Sequence, residues 1–177
     1  DIRLIHIKHI GKPQVNFIAS LGIAYVLFRR FPARMLLGTF FLLVWAYTEM
    51  SQQAHLIDAL NQIWRPGYLA AEEAVEQEMY RTLITGAAGY SDSQYFLVIY
   101  GFGLGSLCYG LALGTLKNWA RWLGVALVFI GLLSLASFAR YYLGQAWLNG
   151  FADISYTYIY PYLQPLARIG LGVWLWQ

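Results

Sequence analysis

Of the 177 residues, 59% are hydrophobic and 12% are charged, against about 25% charged in an ordinary soluble domain. So few Lys, Arg, Asp and Glu cannot cover a water-facing surface, and the expected fold class is all-α, a polytopic α-helical integral membrane protein of four to five transmembrane helices. The net charge of +3, from dispersed Lys and Arg, argues against a nucleic-acid partner. A single cysteine, Cys108, excludes an intrachain disulfide.

The chain opens with a basic start and an apolar stretch, as a signal peptide does. Arg29, Arg30 and Pro32, however, stand where the small residues of a cleavage site belong. A first span is predicted over about 13–30. Its apolar part, Pro13 to Phe28, falls short of the about 20 residues a bilayer helix needs, and it contains Asn16. Four spans with an interfacial amphipathic N-terminal segment is therefore the alternative.

A second span is expected over 33–52, starting near Pro32 and bringing Glu49 out at the far interface. An extramembrane segment, 53–92, follows, in which "WRPG" should break the chain. "AAEEAVEQEMYRTL" then places Ala71, Val75, Met79 and Leu83 four apart, with the glutamates largely on other faces. This predicts an amphipathic helix lying on the bundle or on the membrane surface. "GAAGYSDSQ" should end that helix and start the next, with Ser91 and Gln94 spaced as a capping box. The acidic run reads as a solvated face, with docking of a basic partner as the sharper alternative.

No charge interrupts Ser93 to Leu116 or Trp122 to Ala139. Spans are predicted over 93–116 and 119–140, joined by the short turn "KNWAR". In the first of them Gly101 and Gly105, with Ser106, Gly110 and Gly114, form small-residue faces that let helix backbones approach closely. Helix packing is the expectation, and a groove for a flat ligand such as a quinone, carotenoid or chlorin is the alternative. The Gly-x-Gly-x-Gly lacks the strand and turn of a nucleotide fingerprint. Cys108 reads as a small packing residue.

A tyrosine-rich connection, whose rings and Trp147 suit a headgroup belt, leads to the last span, 156–177. Its only charge is Arg168, which costs at least a few kcal/mol in hydrocarbon and so needs a reason to be there. Counted in from Tyr158, it lies about 15 Å below the outer interface at 1.5 Å per residue. No acidic residue sits at the midpoints of the other spans. Its expected partners are carbonyls freed by Pro161 and Pro165, hydroxyls, or a group outside the chain. Snorkelling or carbonyl satisfaction is the plain structural reading. An anion, a polar headgroup or a partner subunit is the functional one.

Glu49 and Arg140 are expected at one outer level as a structural ion pair. His55 and Asp58 make a poor metal site with Glu49, because residues six apart on a helix face different ways. His6, His9 and His55 are too scattered for a haem or di-iron site. Lys and Arg near the span ends place 29–34 and 117–121 in the cytoplasm, with 52–92 and 141–157 outside; Arg3, Lys8 and Lys12 count against this arrangement if the first segment crosses.

No catalytic motif, metal set or cofactor signature is found. The first functional expectation is a non-enzymatic subunit of a larger membrane assembly, packing against partner subunits or its own copies, lipids, or pigments and quinones. The second is a small transporter or carrier of a hydrophobic or anionic solute using Arg168, with Pro161 and Pro165 interrupting the helix. A membrane enzyme acting on lipid or quinone comes third.

Overall fold

A computed structural model describes the backbone of residues 2–176 and the side chains of 14–176. The described residues are all-helical, with no strand among them. The order is α1 (Ile2–Leu27), α2 (Pro32–His55), a π-helical segment (Leu56–Trp64), α3 (Arg65–Ala70), α4 (Ala74–Leu113), α5 (Ala120–Tyr142), a 3-10 turn (Ala146–Leu148), α6 (Asn149–Ile154), a second π-helical segment (Ser155–Ile159) and α7 (Tyr160–Trp176). Two of these helices, α4 and α5, are long and apolar enough to cross a membrane.

The most extensive interfaces join α4 to α5 and to α2, and glycine sets how closely they approach. A Cβ on Gly101 would lie 2.8 Å from the Phe41 carbonyl oxygen of α2. One on Gly110 would lie 2.7 Å from the Val128 amide nitrogen of α5, and one on Gly124 2.7 Å from the Gly110 oxygen. Any side chain there forces the helices apart. Gly105 faces Leu42, and Ser106 is buried. Gly114 ends α4, its amide donating to the Gly110 carbonyl at 2.8 Å.

A second layer forms where α1 lies on α2, with Ile23, Leu27, Met35, Trp45 and Leu113 buried together. Tyr109 stands among them. Its hydroxyl donates to the Ser20 carbonyl of α1 at 3.1 Å, which leaves Thr39 of α2 to donate back to the phenol oxygen at 2.8 Å. One buried hydroxyl thus joins three helices, and its polarity is satisfied.

Arg34 donates to the Leu111 carbonyl at 3.1 Å, which sets the α1–α2 and α4–α5 turns at one end of the bundle. Asn118 turns the latter corner with φ 66°, a left-handed conformation that Asn tolerates better than most residues. At the other end Tyr142 donates to the Asp92 carbonyl at 3.0 Å. Phe96, Tyr100, Phe138 and Tyr142 interlock there between α4 and α5.

Three sequence expectations are corrected. The first concerns "WRPG", which does not break the chain, because α2 passes through the π-helical segment into α3. Pro66 sits in the first turn of α3, where its missing N–H is least costly. The break comes instead at Ala71–Glu73, where the backbone turns extended.

The second concerns "GAAGYSDSQ", which ends no helix: α4 runs unbroken through it. Glycines alone cost about 1 kcal/mol each in a helix, and the stretch has no proline to block the ladder. Ser91 accepts the Gln52 side chain at its carbonyl, 2.9 Å, and at its hydroxyl, 2.6 Å, while Ser93 bonds back to the Gly89 carbonyl. The amphipathic helix expected between the second and third spans is therefore the N-terminal half of α4. It is paired with the π-helical segment and α3 as a two-helix stalk, with Gly67 packed under the Tyr80 ring.

The third concerns the bounds of the N-terminal segment, because the helix expected over about 13–30 runs from Ile2 to Leu27. Arg3, Lys8, Lys12, His6 and His9 lie outside the residues whose side chains are described.

Candidate functional site

α7 packs chiefly on α5 and α1, and it leaves room between itself and the α2–α4–α5 core. Together with the second π-helical segment it carries a stripe spaced by four that lines this space: Tyr156, Tyr160, Gln164, Arg168 and Gly172. In a straight α-helix a spacing of four drifts around the axis, whereas the wider π-helical turns of Ser155–Ile159 offset the drift at the start of the stripe. Polar groups and tyrosines are thereby kept on one side of an apolar rod.

Two chambers open along this stripe. One, of about 540 Å³, is walled by Glu49, Gln52, Tyr95, Tyr156 and Tyr160. The other, of about 360 Å³, is walled by Ile23, Leu42, Leu127, Ile130, Leu171 and Leu175. Asn16, Trp45, Phe102, Gln164 and Arg168 line both, so the two chambers adjoin along α7 and these five residues stand at the neck where they meet. Trp45 and Phe102 pack together there, with ring centroids 5.2 Å apart.

Arg168 is half-buried at the neck. It makes no hydrogen bond or ion pair with another described residue; the charges and phenols it feels are Glu49 and Tyr160. Glu49, expected at the far end of its own span, lines the same chamber as Arg168, and α6, the second π-helical segment and α7 form one continuous rod from Asn149. The carbonyls near Pro161 and Pro165 do not receive the guanidinium.

The remaining candidate residues are dispersed. Arg140 does not pair with Glu49: it donates to Asp153, which is largely exposed, and lies over the Tyr141 ring at 4.8 Å. The reason is that α6 doubles back beside the end of α5 and brings Asp153 closer. Gly101, Gly105 and Gly110 are taken up in contacts with α2 and α5, while Ser106 also touches the apolar chamber. His55 packs against Tyr90 and Trp64, with centroids 4.8 and 5.4 Å away. No group of three or more metal-ligating side chains is found among the described residues. Cys108 lies beside Gly38.

The passage contains residues that the sequence reading passed over: Tyr156 on the second π-helical segment, Tyr160 and Gln164 on α7, Trp45 on α2 and Asn16 on α1. A signal for them was present. Polar or tyrosine side chains at every fourth position up to Arg168, and the series Trp45, Glu49, Gln52, describe inward faces. Chemically the site offers a cation, a carboxylate, amides and phenols at one end and mostly hydrocarbon, with Ser20, Ser106 and Tyr109, at the other. No known protein family matches this chain, and no characterised protein or solved structure is significantly similar to it.

Proposed function

We propose that the protein is an integral membrane bundle of five spans, α1, α2, α4, α5 and α7, which binds and carries an amphiphile in the passage beside α7. The membrane reading is supported by the length and apolarity of α4 and α5. It is also supported by the outward faces of the other helices: Leu36, Phe40, Leu43 and Tyr47 on α2, and Leu166, Ile169, Val173 and Trp176 on α7 are all exposed. Apolar surface this continuous is unsuited to water. The basic turns 29–34 and 117–121 then lie on the cytoplasmic side.

One observation carries the functional reading: Arg168 stands where a polar chamber becomes an apolar one. A headgroup placed there leaves its hydrocarbon no better surroundings than the chamber lined by Leu171 and Leu175. Intramembrane arginines facing a cavity mark ligand paths by default. The assembly-subunit reading leaned on glycine faces, but Gly101, Gly105 and Gly110 face α2 and α5 of the same chain and offer little to a partner.

The test is native mass spectrometry of the protein extracted in mild detergent. The expected result is one retained amphiphile per chain, lost in Gly172→Phe. Gly172 lines the apolar chamber and has no atom within 4 Å of its would-be Cβ, so a phenyl ring fills the space without disturbing the fold. A bare wild-type chain, or an adduct unchanged by Gly172→Phe, contradicts the proposal.

A further inference from the structure

The charges along the passage bear on which headgroup suits it, and this inference rests on the amphiphile reading above. Consider first a simple anion at Arg168. It gains the guanidinium but faces the Glu49 carboxylate across the same chamber, where a low dielectric strengthens the repulsion. A simple cation at Glu49 meets the mirror problem at Arg168. A head that carries both charges places each against its opposite, and leaves neither protein charge opposed by a like one.

The cationic end has a second feature. Tyr156 and Tyr160 stand with ring centroids 5.0 Å apart and planes at 50°, and Tyr95 lines the same chamber wall beside Glu49. Aromatic rings in the same chamber as a carboxylate suit a quaternary ammonium, which has no N–H to donate and is held through ring faces and net charge. At the neck, Arg168 with the amides of Gln164 and Asn16 suits a phosphate, since guanidinium donors fork onto its oxygens.

We propose that the ligand head is a zwitterion of the phosphocholine type, with its quaternary ammonium at Tyr156, Tyr160 and Glu49 and its phosphate at Arg168. This chemistry has two sources, a phospholipid headgroup or a free soluble zwitterion. The apolar chamber favours the lipid.

The experiment uses the full chain in detergent, titrated with dioleoyl phosphatidylcholine, dioleoyl phosphatidylglycerol and free phosphocholine, and read by native mass spectrometry. Phosphatidylcholine should be retained over phosphatidylglycerol by about tenfold, the scale of one desolvated charge or cation–π contact. Glu49→Gln should erase that preference while the protein still binds lipid, and Arg168→Gln should weaken both lipids alike. Helical circular dichroism confirms that each variant is folded.

Equal or better binding of phosphatidylglycerol by the wild type overturns the zwitterionic head and leaves the amphiphile reading standing. Binding of neither lipid overturns both. If free phosphocholine displaces the lipid at similar concentration, the ligand is the soluble zwitterion, and the amphiphile reading falls while the head chemistry stands. If it does not, the ligand is the phospholipid. Either result supports the proposed head chemistry.

Discussion

Tyr109 shows at the residue scale how this bundle handles polarity. The phenol is almost wholly buried, yet it both donates and accepts, to Ser20 and from Thr39. Tyr109→Phe keeps the ring and removes the oxygen, leaving the Thr39 hydroxyl without its acceptor and the Ser20 carbonyl without its extra donor. The expected loss is about 1–2 kcal/mol. Thermal unfolding in detergent, followed by intrinsic fluorescence, should show it as a midpoint about 2–8 °C lower for a chain of this size. An unchanged midpoint would mean that the hydroxyl contributes no more than the ring it sits on. Arg168 is the opposite case, a charged group at a cavity neck with no hydrogen-bonded partner among the described residues. Under the proposed function that guanidinium, which feels Glu49 and Tyr160, meets the ligand head.

The helical elements were legible in the sequence where hydrophobicity alone decides, as in the charge-free runs that became the C-terminal half of α4 and most of α5. They were misread where glycine and proline had to be weighed against tertiary contacts. Pro66 looked like a breaker, but it fell into a first turn. Gly86 and Gly89 looked like a stop, but Gln52 holds that stretch from α2 through Ser91. No local pattern reveals a partner distant in sequence. The site was half legible for the same reason: Arg168 announced itself as an isolated charge, whereas Glu49 joined it only once the stagger of α7 against α2 was known. The two misread signals together produce the stalk. Helix α4 alone is about 60 Å long at 1.5 Å per residue, about twice a bilayer's hydrocarbon thickness, so under the proposed function its first half projects with α3. The chain leaves helical geometry at the tip, where Glu72 and Glu73 are exposed. A glutamate-specific protease should cut there first, and the nicked halves should stay together in size-exclusion chromatography because α2 and α4 remain packed. Initial cutting at Glu76 or Glu78, or separation of the halves, would show that the hairpin is not the rigid element described.

At the scale of the whole molecule, the fold is a tight three-helix core of α2, α4 and α5, with α1 laid on it and α7 held more lightly. Glycine is spent inside the core, where backbones approach, and the polar stripe faces the open space beside α7. Under the proposed function, the outer surfaces meet lipid everywhere and the passage beside α7 holds one amphiphile. Annular lipid and a bound molecule differ in where their hydrocarbon touches the chain, so contact position is the most direct test. A phosphatidylcholine with a diazirine near the end of one acyl chain, incorporated into membranes containing the protein and photolysed, should label the passage wall around Ile23, Leu171 and Leu175. It should do so well above the outward-facing Leu36, Phe40 and Leu132, and Gly172→Phe should remove the excess. Uniform labelling of inner and outer faces, unaffected by Gly172→Phe, would contradict the claim that this cavity binds its own ligand.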